Sequence, residues 1–183
     1  LTKKRINETL AQQKILIETK NRDITDSIQY AKQIQSAILP SDETIKKLFA
    51  NNFVFYKPKD IVAGDFYWAL ELPNQILFAV ADCTGHGVPG AMVSVVCNSA
   101  LNRAVKEFNL NSPAKILDKA TEIVIETFEK SNSNIKDGMD IALCSIDKRT
   151  NELEYAGANN SIYLIRNGEL IETKADKQPV GKF

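Results

Sequence analysis

Two short segments of this 183-residue chain combine carboxylates with glycines in a pattern suited to a divalent cation. The first is Ile61-Val62-Ala63-Gly64-Asp65-Phe66-Tyr67-Trp68, and the second is Val80-Ala81-Asp82-Cys83-Thr84-Gly85-His86-Gly87. Asp82 follows the apolar stretch Phe78–Ala81, so its charge emerges where a buried strand ends. A carboxylate there is costly unless it is hydrogen-bonded, paired or bound to metal. The neighbouring glycines permit tight turns and close approach by a ligand. Mg2+ and Mn2+ take carboxylate and backbone carbonyl oxygens, which is the donor set on offer. Taken singly, Asp82 reads equally well as a turn or capping aspartate, and Asp65 reads better as a turn residue. Spaced by one strand hairpin, the two form a plausible two-carboxylate metal site.

The other reactive residues carry less. Asp137 and Asp140 flank Gly138 near a strand start; Asp140 could line the site, although solvated turn acids are the simpler reading. His86 is the only histidine, and with no identifiable acid–base partner it reads as a packing or capping residue before a catalytic one. Lys57 reads as a solvated strand-end lysine and Trp68 as core or rim. Cys83 and Thr84 form no nucleophilic triad, since no spare histidine exists. Cys83, Cys97 and Cys144 lack metal-type spacing, which points to reduced interior thiols and a cytoplasmic setting.

These residues need elements to position them. Residues 1–39 are polar and free of Gly and Pro, with Leu10, Ile17, Ile24, Ala31 and Ile38 recurring every seven positions. Such a seam predicts a long helix, two-stranded over residues 1–25, with the part from Ile24 to Leu39 either paired or docked on the globular domain. Pro40 stops it, and Ser41 opens a short helix through Phe49. Strands are expected at Asn52–Lys57, Asp65–Leu72 and Gln75–Cys83, the last buried on both faces because Ile76–Ala81 is nearly all apolar. A small-residue helix over Ala91–Phe108, with Pro89 at its first position, and a second helix from Ser112 to about Lys130 follow. Strands return at Met139–Asp147, Leu153–Ala158, Ser161–Arg166 and Glu169–Thr173, the last two joined by an Asn167-Gly168 turn. The pattern is α+β, layered, with mostly antiparallel sheets. The 23 basic residues equal the 23 acidic ones, which removes the electrostatic case for nucleic acid or an anionic membrane as partner. No stretch approaches the ~20 apolar residues of a membrane span.

Ala63-Gly64-Asp65-Phe66-Tyr67 resembles the Gly-Gly-Asp-Phe-Tyr signature of the SpoIIE-like branch of the PPM metal-dependent Ser/Thr phosphatases. Asp82-Cys83-Thr84-Gly85-His86-Gly87 resembles that family's Asp-Val-Ser-Gly-His-Gly. In the same order, the stretch from Tyr30 to Pro40 resembles the helix preceding such domains. Tyr155-Ala156-Gly157-Ala158-Asn159 resembles the later Tyr-Ala-Gly-His strand, with Asn159 departing from it, and Gln178-Pro179-Val180-Gly181 resembles the Pro-Leu-Gly that follows. The resemblance implies a PPM-phosphatase-like layered sandwich, incomplete at the C-terminus: residues 1–39 a signalling coiled-coil helix, 40–52 a short connecting helix, 53–183 a partial phosphatase domain. It implies Asp82 bridging two Mn2+ or Mg2+ ions, the Cys83 carbonyl as a further ligand, and Asp65 binding one ion directly or through water. The implied reaction is hydrolysis of phosphoserine or phosphothreonine by a water activated between the ions. The family's later Thr-Asp-Gly and Asp-Asp motifs are absent, so weak metal binding and little or no activity are expected of this chain. The implied partners are a phosphorylated regulatory protein as substrate and a second copy through the N-terminal helix. The alternative is a non-catalytic dimerisation and relay module.

Overall fold

The computed structural model describes residues 2–130 and 137–182. Helix α1 spans Thr2–Ile38 without a break, as the lack of Gly and Pro permits. Residues 3–27 are exposed; contact with the domain begins at Ile28 and continues through Ala31, Gln35 and Ile38, a stripe at helical spacing. Helix α2, Asp42–Leu48, is capped by Ser41, whose hydroxyl accepts from the Thr44 N–H. Acids in its first turn and lysines in its last complement the helix dipole.

A five-stranded sheet follows. Strands β1 (Phe66–Glu71), β2 (Gln75–Cys83), β3 (Gly138–Asp147) and β4 (Leu153–Ala158) lie side by side in that order, all antiparallel, and the short β7 (Val180–Gly181) continues the β4 side of β3. Helices α3 (Gly87–Lys106) and α4 (Pro113–Glu129) cover one face. Alternate residues point into that layer: Phe66 and Trp68 from β1, Leu77, Ala79, Ala81 and Cys83 from β2, Met139, Ile141 and Leu143 from β3. They meet Val93, Cys97, Leu101 and Val105 of α3 and Ile116, Ala120, Ile123 and Val124 of α4. Each large aliphatic chain buried here contributes roughly 1.5–3 kcal/mol. The small residues of α3 bring its axis close to the sheet, as Ala100 and Ala104 are fully buried. Strands β5 (Ile162–Arg166) and β6 (Glu169–Thr173) form a separate hairpin. Its turn residues Asn167 and Gly168 both have positive φ, 54° and 81°, as a type I′ turn demands.

Three expectations are corrected. Strand β2 is fully buried on one face and only partly covered on the other: Leu77, Ala79 and Ala81 are buried, while Phe78 meets the Phe49 ring edge to face and Val80 is 63% exposed. An apolar run signals two-sided burial only where both faces have a covering layer, and here the helices supply one. Among the described residues Asn52–Lys57 pairs with no strand, and Phe53 and Phe55 are 90% and 84% exposed; strand-like composition does not supply an edge to bond to. Helix α3 starts at Gly87, so Pro89 is its third residue. Proline is tolerated there because the first-turn N–H groups lack helical partners anyway. The three cysteines are buried and free. Trp68 is a core residue. Among the described residues no helix is long and apolar enough to cross a membrane.

Candidate metal centre

The sheet register assembles the site. Phe66 pairs with Ala81, which sets Asp65 beside Asp82, and Asp82 pairs directly with Asp140 of β3. Ile141 pairs with Ala158, so the next residue of the β4 chain, Asn159, reaches Asp140, its Nδ2 donating to Oδ1 at 2.8 Å. Asp65, Asp82, Asp140 and Asn159 thus form one row across four neighbouring chain segments. Asp82 shares the face of Val80, away from the helices. Asp82, Asp140, Gly138 and Thr84 also line a 310 Å³ cleft that reaches Pro179 and Lys182. Lys182 is engaged there by Glu129, at 2.8 Å.

Acids crowded in this way resist ionising together. The Asp82 carboxyl is held above its ordinary range, first by partial burial, then by its hydrogen bond to Asp65 and the charges of Asp65 and Asp140. Beneath it the Cys83 thiol is pushed far up by its hydrogen bond to Cys97 and by burial, so it is no nucleophile.

Glycine makes the two acidic segments fit. A Cβ on Gly64 would lie 2.6 Å from the Gly85 carbonyl oxygen and 3.0 Å from that of Cys83; one on Gly90 would lie 2.5 Å from the Gly85 oxygen. The Gly85 carbonyl is therefore wedged between Gly64 and Gly90. On the near side of Asp65, the Tyr56 hydroxyl donates to its backbone oxygen at 3.2 Å, and the Tyr56 ring meets Tyr67 edge to face. Burial, then the negative charge of Asp65, raises the Tyr56 hydroxyl.

His86 acquires the partner that the sequence did not reveal. Its Nδ1 lies 2.9 Å from Asp60 Oδ2. Asp137 is not among the residues lining the cleft, and Lys57 is exposed. Sequence reading undervalued Asp140 and missed Asp60 and Asn159. Asp60 and Asn159 lie 26 and 19 residues from their partners; only pairing Met139–Asp147 against Gln75–Cys83 in register would have placed Asp140 opposite Asp82.

The oxygens that could hold an ion, the Asp65 and Asp82 carboxylates and the Cys83 backbone carbonyl, are all hard donors and suit Mg2+ or Mn2+. It is not a closed cage: among the described residues no three His, Cys, Asp or Glu side chains form a group able to hold an ion.

The SpoIIE family (Stage II sporulation protein E) matches residues 73–183. The chain belongs to this family. Its domain is a SpoIIE-like PPM phosphatase domain by fold. The SiaA-PP2C domain of Pseudomonas aeruginosa superposes with a TM-score of 0.80 at 34% identity, covering 88% of this chain and 64% of that one. The PP2C phosphatase domain of SpoIIE from Bacillus subtilis, solved with a fragment of its regulatory domain, gives 0.54 at 16% identity, covering 66% and 34%. The RsbU and RsbW domains of Rv1364c from Mycobacterium tuberculosis give 0.52 at 21%, covering 67% and 33%. The chain spans less than two thirds of each of these. Curated protein sequences give no match.

Proposed function

We propose that this SpoIIE-family chain is the phosphoserine/phosphothreonine protein phosphatase output unit of a signalling protein, with Asp65, Asp82 and the Cys83 carbonyl as ligands for Mn2+ or Mg2+. The observation that carries this reading is the row of carboxylates at the ends of adjacent strands, Asp82 flanked by Asp65 and Asp140. Two divalent ions held there would lower the pKa of water and neutralise phosphoryl charge. The chain's own contribution is geometric. β1 and β2 carry Asp65 and Asp82 to one spot, the glycine contacts hold the two turns together, and Asn159 orients Asp140. The substrate is a phosphorylated regulatory protein, and α1 pairs with a second copy through Leu10, Ile17 and Ile24. With no closed ligand group among the described residues, affinity should be weak and hydrolysis slow.

The test is thermal unfolding with and without Mn2+, comparing the chain with Asp82→Asn. A ligand that binds only the folded state raises Tm, and the rise grows with the logarithm of its concentration once that exceeds Kd. The expected result is a rise in the parent that Asp82→Asn abolishes, accompanied by slow Mn2+-dependent release of phosphate from a phosphopeptide. An equal rise in both proteins would remove Asp82 from the site. A second reading, a non-catalytic dimerisation and relay module, is favoured by the open ligand set. It predicts no rise in either protein.

A further inference from the structure

Helix α1 is seated on the domain by few groups, and its most buried side chain is polar. Gln35 is 4% exposed. Its Nε2 donates to the Ala63 carbonyl at 2.6 Å and to Ser94 Oγ of α3 at 2.9 Å, while its Oε1 accepts from the Ala63 N–H at 3.0 Å. Two of the three bonds therefore go to both backbone groups of one residue, as an adjacent strand would supply. Ala63 is buried and, among the described residues, makes no backbone-to-backbone hydrogen bond outside helices and strands. Without Gln35 its buried N–H and C=O would go unpaired. Gly64 comes next, pressed on the Gly85 and Cys83 carbonyls, and Asp65 follows it. One turn along α3 from Ser94, Asn98 Nδ2 donates to the Ile38 carbonyl near the end of α1.

We propose that Gln35 is a positioning residue for the metal centre: by clamping both backbone groups of Ala63 it fixes the loop that delivers Asp65 to Asp82, and it ties that geometry to the seat of α1. The inference rests on the reading of Asp65 and Asp82 as metal ligands. Groups that orient ligands from behind typically change metal affinity by about 10–100-fold when removed. A residue that merely glued α1 to the domain would change stability and leave that affinity alone.

Three measurements on the full chain separate these cases: Mn2+ affinity by titration, Tm without metal, and amide hydrogen exchange at Gly64–Phe66 without metal. Gln35→Met keeps the side chain's length and removes all three bonds. Ser94→Ala removes one of the three Gln35 bonds, together with the bond from Ser94 Oγ to the Ala91 carbonyl within α3, and spares both to Ala63. Gln35→Met should weaken Mn2+ binding about ten-fold or more and speed exchange at Gly64–Phe66, with the β2–β3 amides unchanged. Ser94→Ala should lower Tm and keep the affinity within roughly two-fold of the parent, below the loss expected of a ligand-orienting group. Unchanged affinity in Gln35→Met, or an equal loss in Ser94→Ala, overturns the proposal. If Gln35→Met does not fold, Gln35→Glu is read in the same way, since it sets a carboxylate against the Ala63 carbonyl. A parent chain that binds no Mn2+ would sink the metal reading instead. The exchange measurement then decides alone, and unchanged exchange at Gly64–Phe66 overturns the role of Gln35.

Discussion

Asp147 ends β3 and shapes the turn into β4, its Oδ1 accepting from the N–H groups of Thr150 and Arg149 at 2.9 and 2.7 Å. These two bonds, Thr150 first, hold its carboxyl below the ordinary range. A carboxyl depressed in the folded state adds stability that is present above its unfolded pKa, about 3.9, and is lost as pH falls through the folded value. Asp147→Asn should therefore unfold more easily than the parent at pH 7, with the gap closing in acid below pH ~4. Urea titrations at a series of pH values check this, and a gap constant with pH would place the effect elsewhere. Such local bonds are legible in sequence, because Asp, Arg and Thr sit within three residues. The bonds that build the site are not. Gln35 reaches Ala63 across 28 positions and His86 reaches Asp60 across 26; a glutamine in a polar helix carries no mark of the loop it will meet.

Elements were easier to read than their environments. Caps and turn residues mark ends, so Ser41, Pro113 and Asn167-Gly168 place α2, α4 and the β5–β6 hairpin within a residue or so. What covers a strand depends on layers distant in the chain, which is why the partly covered face of β2 and the unpaired Asn52–Lys57 read wrongly. Helix α3 shows the same limit at its start, where Pro89 marks the first helical position in sequence and the helix begins two residues earlier, at Gly87. Gly90 tests how tightly the turn is packed. Replacing a helix glycine with alanine normally gains up to about 1 kcal/mol. Here the added Cβ would sit 2.5 Å from the Gly85 oxygen and 3.2 Å from Gly64 Cα, and overpacking of that kind costs about 1–3 kcal/mol. Gly90→Ala should lose stability on balance, by about 1–2 kcal/mol. Chemical denaturation followed by circular dichroism reads the sign directly, and a gain would mean that the two acidic turns can separate freely.

At the scale of the molecule, α1 is unlike the rest. Leu10, Ile17 and Ile24 are each more than half exposed and lie on one seam, and such a seam on a long helix is normally covered by a second helix. Ile17→Asp combined with Ile24→Asp should shift the chain from dimer to monomer in sedimentation and leave the domain's Tm unchanged, since neither residue touches the core. An unchanged association state would end the coiled-coil reading. The same helix also has a mechanical character. At 1.5 Å per residue it is about 55 Å long, yet it grips the domain only from Ile28 onward. That makes it a lever with a fulcrum near Gln35. Any sideways load on the free arm arrives at the short end as torque, and the short end holds the backbone two residues from Asp65.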